Sequence, residues 1–274
     1  MKPFFSVVIP TLNEEKFLPK LLNDLVKQTE KDFEVIIADG YSKDKTKKVT
    51  NEFKRRLRIK FYQTKLKNVA AQRNYGATKS TGDYLVFLDA DTRINKSFLK
   101  KIKKIILKRK GLIFIPHFLP DRKYKQYKSL FDLLNILVEF SQNLPKRFSL
   151  GGNMIIERNF FNIVGEFNED LFMAEDHELI QRISQWGIEI KFIKEAKTYF
   201  SLRRMKKEGK IRYFYKYLVA TAQRIFRGEI KDKIYDYQMG GQVYEKEKNV
   251  QKKEEFIQHY LNQIKGLLKK LLED

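Results

Sequence analysis

The stretch YLVFLDADT, residues 84–92, decides how this chain can fold. Its apolar first half is typical of a buried β-strand, and the strand runs directly into Asp89-Ala90-Asp91. Two carboxylates this close raise each other's pKa unless a cation compensates. Mg²⁺ commonly binds one or two carboxylates together with phosphate oxygens. The alternative is that Asp91 or Thr92 merely caps the following helix, and the pattern alone leaves both interpretations open.

Strand patterns and helix patterns alternate on both sides of this stretch. Apolar strands are predicted at FSVVIPT (5–11), FEVIIADG (33–40), IKFYQT (59–64) and GLIFIPHF (111–118), with a helical pattern following each of the first three. Such alternation indicates βαβ units and a parallel sheet. We therefore expect an α/β fold with a Rossmann-like, mostly parallel sheet and helices on both faces.

The regular alternation of strand and helix patterns stops after about residue 120. Helices are predicted over 129–144 and 174–187, with a strand over 188–193. Two long, basic, amphipathic helical patterns follow after residue 205. We expect one domain over residues 1–205 and a C-terminal helical extension over 206–274.

Composition narrows the function classes. The chain has 274 residues, 42% of them hydrophobic, which is enough for a sizeable core. It has no cysteine, which excludes disulfides, thiolate metal sites and cysteine nucleophiles. The formal net charge of +22 predicts attraction to nucleic acid, an anionic membrane or phosphate-bearing molecules, or else reflects a lysine-rich solvated surface. We see no signal peptide and no membrane-spanning run, so we expect a cytoplasmic protein that at most lies on the inner face of the cell membrane.

Polar side chains follow three of the predicted strands. Thr11, Asn13 and Glu14 follow the first strand, Asp39 ends the second, and the aspartate pair follows the fourth. Ligands of open parallel sheets bind outside the carboxyl ends of the strands. These side chains are therefore expected to converge on one crevice. Asp39 there either shapes a turn or accepts a hydrogen bond from a base or ribose.

Three arginines are candidates for binding phosphate. Arg73, on a helix beside the crevice, either pairs with Asp39 or Asp44, reaches a phosphate, or forms a surface salt bridge. Arg203 and Arg204 follow the last predicted strand. Neighbouring arginines can clamp a diphosphate, although such residues also form ordinary helix-start charge clusters.

A second acidic pair begins the helix predicted over 174–187. Glu175 and Asp176 stand where the helix dipole favours carboxylates. The helix dipole alone is a sufficient structural explanation for two acidic residues at this position. A carboxylate held ionised there can also accept a proton from a hydroxyl at neutral pH. The adjacent His177 is a candidate metal ligand or a solvated, hydrogen-bonded residue.

Taken together, these motifs resemble the family 2 glycosyltransferases of the GT-A fold. The matching stretches cover most of residues 4–190 in the family's order: FSVVIPTLNEEKFLPKLLNDL, VIIADGYSKDKT, AAQRNYGATKSTGDYLVFLDADT and GGNMIIERNFFNIVGEFNEDLFMAEDHELIQR. SLRRMKKEG (201–209) also looks like a stretch that follows the catalytic core in some members. No single piece is specific, but the combination is.

The resemblance implies an inverting transfer of a sugar from a nucleoside-diphosphate sugar to an acceptor hydroxyl. It implies a catalytic domain whose residues 1–115 bind the nucleotide sugar and whose residues 116–205 face the acceptor. Asp176 would be the catalytic base, with Glu175 beside it at the acceptor, and Asp89 and Asp91 would hold Mg²⁺ or Mn²⁺ at the diphosphate. Further donor-binding residues implied are Pro10, Thr11, Asn13, Glu14, Asp39, Arg73, Ala90, Gly151, Gly152, Asn153, Arg203 and Arg204.

One departure from the family pattern affects the metal site. Many members have a histidine after the last core strand, whereas this chain reads TYFSLRR there. We infer that Arg203 and Arg204 hold the diphosphate instead, which leaves the third metal ligand open.

Partners and rival functions are less determined. The acceptor is a glycan or a lipid-linked hydroxyl. The helix predicted over 129–144 and the C-terminal helices pack on the protein, form a homodimer or rest on an anionic membrane. No motif indicates specific nucleic-acid binding. A nucleotidyltransferase would need a glycine-rich loop that PTLNEEK lacks, and a non-catalytic scaffold is disfavoured by the intact acidic residues.

Overall fold

The protein is described by a computed structural model that covers residues 2–65, 68–142, 152–171 and 174–203. The predictions for Gly151, for Arg204 and for the helical extension over 206–274 lie outside these residues.

The first half of the chain alternates between strands and helices as expected. Its strands are β1 (Phe5–Thr11), β2 (Phe33–Asp39), β3 (Ile59–Gln63) and β4 (Tyr84–Phe87). Its helices are α1 (Leu18–Val26), α2 (Thr46–Glu52) and α3 (Val69–Thr78). β4 ends two residues before Asp89, so the aspartate pair lies in the turn that follows the strand and not on the strand itself.

The second half mixes short and long elements. The strands are β5 (Arg93–Ile94), β6 (Ile113–Pro120), β7 (Met154–Glu157) and β8 (Ile190–Phe200). The helices are α4 (Phe98–Arg109), α5 (Lys128–Ser141), α6 (Arg158–Ile163) and α7 (Glu175–Gln185). A 3₁₀ turn over Arg122–Tyr127 leads into α5.

All eight strands form one sheet in the order β3-β2-β1-β4-β7-β6-β8-β5. The four strands β3, β2, β1 and β4 run parallel to one another. β7 is antiparallel to both of its neighbours, β6 and β8 are parallel, and β5 is antiparallel to β8. The mostly parallel sheet is confirmed, and its parallel half brings the carboxyl ends of β1, β2 and β4 side by side.

Helices cover both faces of the sheet, as the sequence predicts. Val7 and Ile9 of β1 point into a core shared with α1 and α4. Val8 points to the opposite face, into a core shared with α3, α6 and α7. Alternate residues of one strand therefore serve two cores, which explains why β1 is apolar throughout.

A third, smaller core lies under α5. Phe131 and Val138 of α5 pack with Phe118 of β6 and with Leu202, just beyond the end of β8. This cluster fixes the last described residues of the chain next to the sheet, close to where β8 ends.

Candidate active site

The carboxyl ends of β1 and β2 form the first wall of the candidate site. Thr11 and Asp39 are directly opposite each other in the parallel register, and Pro10 is opposite Ala38 one position earlier. Asp39 has no exposed surface. Its carboxylate accepts hydrogen bonds from the Thr11 hydroxyl (2.9 Å), the Ser42 amide (2.9 Å) and the Ser42 hydroxyl (2.5 Å). Asp39 therefore shapes the turn after β2, and its contact with a nucleotide base stays a prediction.

The loops after β1 and β2 are hydrogen-bonded to each other. The Asn13 amide donates to Ser42 (2.7 Å), and the Asn13 side chain accepts from the Lys43 amide (2.6 Å). The Glu14 amide donates to the Thr46 hydroxyl at the start of α2 (2.8 Å). These bonds make one rigid wall from two loops that are about thirty residues apart in sequence.

Arg73 connects three parts of the chain. It lies on α3, is 2% exposed, and donates to Asp89 (2.7 Å) and to Glu175 (2.5 Å). The predicted pairing of Arg73 with Asp39 or Asp44 is wrong, because the guanidinium group faces the turn after β4 and the start of α7 instead. Burial opposes its charged form, but the carboxylates of Asp89, Glu175 and Asp176 outweigh this effect and raise the pKa of Arg73.

The acidic pair at the start of α7 is buried beside Arg73. Glu175 is 8% exposed and Asp176 is 6% exposed, and Ala174 before them has a left-handed backbone (φ 65°) that starts the helix abruptly. Burial raises the pKa of Glu175, with Asp176 adding to the rise and Arg73 opposing it. The helix start alone was expected to keep a carboxylate here ionised. For Glu175 desolvation is the stronger effect.

Arg203 connects two further carboxylates. Its terminal nitrogens donate to both carboxylate oxygens of Glu14 (2.8 Å each), and its Nε contacts Asp91 at 2.8 Å. The guanidinium group lies over the ring of Phe17, 4.4 Å from the ring centre. Arg203 thus joins the turn after β4, the loop after β1 and the segment after β8. The structure brings this predicted phosphate-binding residue to the aspartate pair.

Glu14 is unusual for a carboxylic acid. It is 5% exposed, and burial raises its pKa to about 7, a rise that Arg203 partly offsets and that Asp91 and Asp89 reinforce. It therefore changes charge near neutral pH, and the charge of the site changes with it.

The start of β7 completes the site from the other side. The Asn153 side chain accepts a hydrogen bond from the Asp89 amide (3.1 Å) and exchanges one with the Thr92 hydroxyl (3.3 Å). At Gly152, a Cβ atom would overlap the guanidinium group of Arg73. This glycine is required because the arginine lies directly against its backbone.

The charges of this cluster fit a bound cation. Among the described residues, the five carboxylates of Glu14, Asp89, Asp91, Glu175 and Asp176 surround the two guanidinium groups of Arg73 and Arg203. The side chain of Asp89 is 35% exposed and offers hard oxygen ligands of the kind that Mg²⁺ or Mn²⁺ binds. The described residues contain no group of three acidic or histidine side chains that could hold a metal, His177 included. A metal bound by Asp89 and Asp91 would need further ligands besides the side chains of the described residues, such as water or phosphate oxygens.

Three features of the site were not predicted from the sequence. They are the bridge from Arg73 to Glu175, the ring of Phe17 below Arg203, and the role of Ser42 in holding Asp39. The first two are contacts between distant segments, which no spacing within the sequence signals, whereas Ser42 lies only three residues after Asp39.

Comparison with known proteins identifies the family. The sequence model of glycosyl transferase family 2 matches residues 6–164, more than half of the chain. The chain belongs to this family. The match spans the loops after β1 and β2, Arg73, the aspartate pair and Asn153, and it ends just after α6.

Relatives and solved structures agree with this assignment. Poly(ribitol-phosphate) β-N-acetylglucosaminyltransferase TarS of Staphylococcus aureus is 26% identical over 213 residues, which are 73% of this chain and 36% of TarS. The chain thus spans about a third of that relative. The crystal structure of TarS residues 1–349 with UDP-GlcNAc has a TM-score of 0.61 at 24% identity, covering 87% of this chain and 68% of that one.

A mannosyltransferase from Pyrobaculum calidifontis, solved with GDP-Man and Mn²⁺, has a TM-score of 0.62 at 18% identity and covers 80% of this chain and 65% of that one. At these identities the structures establish the fold, and the fold of this family 2 glycosyltransferase is GT-A. Within the part of the chain that the structure describes, no helix has both the length and the hydropathy needed to cross a bilayer.

Proposed function

We propose that this family 2 glycosyltransferase transfers a hexose-type sugar from a nucleoside-diphosphate sugar to an acceptor hydroxyl, with inversion at the anomeric carbon. The observation that carries the proposal is the bridge made by Arg73. Its guanidinium group donates one hydrogen bond to Asp89, which lies after β4, and another to Glu175, which lies at the start of α7. A donor at the aspartate pair and a base at α7 would then act on one reacting centre.

The donor half of the site supports diphosphate binding. The acidic side chains of the cluster outnumber its two arginines, so they oppose the binding of a diphosphate unless a cation intervenes. A Mg²⁺ or Mn²⁺ ion held by Asp89 and Asp91 would supply that charge and act as a Lewis acid toward the leaving group. Arg203, whose guanidinium group lies against Asp91, would bind the diphosphate together with Arg204. Two neighbours of the same fold were solved with UDP-GlcNAc and with GDP-Man, which supports a nucleotide sugar as donor.

The proposed reaction is a single displacement. The acceptor hydroxyl gives its proton to the carboxylate of Asp176 while its oxygen forms a bond to the anomeric carbon. The bond from that carbon to the diphosphate breaks, and the nucleoside diphosphate leaves with the electron pair. The transition state has oxocarbenium character. Arg73 acts by fixing Glu175 and Asp89 in position.

The test is an Asp176→Asn variant. A positioned base contributes roughly 10² to 10⁴ in rate, so we expect turnover to fall by at least a hundredfold while donor affinity, measured by calorimetry with Mn²⁺, stays near the wild-type value. Asp170→Asn is the matched control, because Asp170 is exposed and should retain full activity. Transfer by Asp176→Asn at the wild-type rate would exclude Asp176 as the base.

The acceptor and its location form the second part of the proposal. We place the enzyme in the cytoplasm, drawn to the inner face of the membrane by its net charge of +22, with a glycan or lipid-linked hydroxyl as acceptor. Each lysine or arginine that lies close to an anionic membrane surface contributes about 1 kcal/mol to membrane binding. Flotation with vesicles that contain phosphatidylglycerol should show binding that disappears at high salt, and binding to neutral vesicles would contradict an electrostatic origin.

A further inference from the structure

Helix α5 has an uncovered apolar face. Leu133, Ile136, Leu137 and Phe140 are 52%, 61%, 44% and 60% exposed, and their spacing places them on one side of the helix. We call these four residues the α5 stripe. The other side of α5 is buried by Phe131, Asn135 and Val138, so apolar side chains occupy most of its circumference.

The stripe is as large as the largest apolar patches that soluble monomers usually expose. Its four side chains expose on the order of 400 Å² of apolar surface, within the range of the largest patches on typical monomers, which are often functional. A helix that is apolar on nearly all sides is normally buried on all of them. The stripe therefore needs a partner surface.

The chain leaves the described residues next to this helix. Leu202 packs in the same cluster as Phe131 and Val138, and Arg203 is the last residue described. Everything from residue 204 onward therefore starts beside α5. The sequence over 211–225 has an apolar face of suitable pattern, consisting of Ile211, Phe214, Tyr215, Leu218, Ala222 and Ile225.

The tether is long enough to reach the stripe. Residues 204–210 span at most about 25 Å when extended, and a 14-residue helix such as α5 is about 21 Å long. A short tether gives an effective concentration in the millimolar range. A tethered apolar face therefore has a concentration advantage over a second copy or any other partner in solution.

Other occupants fit the stripe less well. Residues 143–151 must connect Gln142 to Gly152 and have only three large apolar side chains. Helices that lie on anionic membranes usually have lysine and arginine on their polar face. The border of the stripe instead has Asp132 and Glu139, which pair with Lys128 and Lys194, so this border has no excess of positive charge.

We propose that residues 211–225 pack their apolar face against the α5 stripe of the same chain. The C-terminal segment then belongs to the catalytic domain, and it is anchored beside Arg203 at the candidate active site.

Disulfide trapping tests the proposal cleanly, because the 274-residue chain has no cysteine of its own. The test variant is Ile136→Cys with Leu218→Cys. One control pairs Leu107→Cys with Leu218→Cys, since Leu107 is 65% exposed on α4. The other pairs Ile136→Cys with Lys216→Cys, which lies on the opposite side of the predicted helix. All three double variants are analysed by non-reducing gel electrophoresis after mild oxidation.

We expect the test pair to form an intramolecular disulfide at least about tenfold faster than either control, as a high effective concentration requires. Equal rates in all three variants would overturn the proposal. So would disulfide-linked dimers as the dominant product of the Ile136→Cys, Leu218→Cys variant, which would assign the stripe to a second copy. Vesicle flotation that is lost in a Leu133→Ser, Leu137→Ser variant, without the intramolecular disulfide, would assign it to a membrane and would also overturn the proposal.

Discussion

Arg73 shows how one buried residue can organise a site. Its guanidinium group contacts Asp89 and Glu175 and lies against the backbone of Gly152. Buried charges of this kind are strongly destabilising when one partner is removed, because the remaining charge is left without compensation. The arginine, its two acids and the glycine therefore act as a unit.

Replacing Arg73 or Gly152 should disrupt this unit in the same way, because either change removes the guanidinium group from its position between the two acids. We expect Arg73→Ala to lower the free energy of unfolding by about 3 kcal/mol, since it leaves a buried carboxylate unpaired. Gly152→Ala should also destabilise the protein, because its Cβ displaces the guanidinium group. Urea denaturation of both variants and the double variant measures these changes. If Gly152→Ala costs as much in the Arg73→Ala background as in the wild type, the two residues are not coupled.

Glu14 should make stability depend on pH. Its pKa of about 7 in the folded protein lies above its value in the unfolded chain, so the folded state binds the proton more tightly. The resulting stability is fully present below the unfolded pKa and is lost as pH rises through about 7. We expect Glu14 to account for a loss of about 3 kcal/mol between pH 4.5 and pH 7.5.

Comparing the unfolding free energy of wild type and Glu14→Gln across this range tests the expectation. The slope with pH should be smaller in Glu14→Gln and unchanged in Glu52→Gln, which alters an exposed carboxylate. Parallel curves for wild type and Glu14→Gln would show that Glu14 does not titrate there.

At the residue scale, the sequence predicts which side chains matter better than it predicts their partners. Asp89 and Asp91 could be identified because an apolar strand rarely runs into two acids without a reason. The partner of Arg73 could not, because Asp39, Asp44, Asp89 and Glu175 are chemically equivalent candidates and only the fold decides between them.

At the scale of elements, long periodic segments were predicted well and short ones were not. β1 and α7 lie within two residues of where the pattern places them. β5 has only two residues, too few for any periodicity to appear. β8 was predicted to stop at residue 193 but continues to Phe200, because exposed Lys194 and Glu195 interrupt the apolar alternation while the backbone stays paired with β6 across a register shift.

One side-chain amide of α5 is hydrogen-bonded to the backbone of β6, in addition to the apolar contacts between them. The Asn135 side chain accepts from the Phe118 amide (3.1 Å) and donates to the Phe118 carbonyl (2.7 Å), so it imitates a neighbouring strand. Asn135→Leu should lower the free energy of unfolding by about 2 kcal/mol, because both buried backbone groups lose their partner. Urea denaturation measures the effect. Ser129→Ala, an exposed change on the same helix, should leave stability within about 0.5 kcal/mol of wild type, and an equally small effect of Asn135→Leu would contradict this account.

At the scale of the whole molecule, the site is assembled by the topology of the sheet. Glu14 and Arg203 are 189 residues apart in sequence and share two hydrogen bonds. Parallel strands place the loops after β1, β2 and β4 at one edge, and β8 returns the chain to the same edge. The fold class was predictable because strand and helix patterns alternate. The contacts of Arg203 with Glu14 and Asp91 were not, because they depend on where β8 ends.

Binding of donor should therefore stabilise the whole fold, and it should require a divalent cation. A nucleoside-diphosphate sugar at 100 times its dissociation constant adds about 2.7 kcal/mol, which corresponds to a rise in Tm of about 5 to 10 °C for a chain of this size. We expect this rise with Mn²⁺ and one of the UDP or GDP sugars, and its loss when EDTA is added or when Asp91 is changed to Asn. Asp170→Asn should keep the full rise, because its carboxylate is exposed and distant in sequence from the aspartate pair. An equal rise with EDTA would contradict the metal site but not donor binding. In that case Arg203, together with Arg204, would hold the diphosphate without a metal ion.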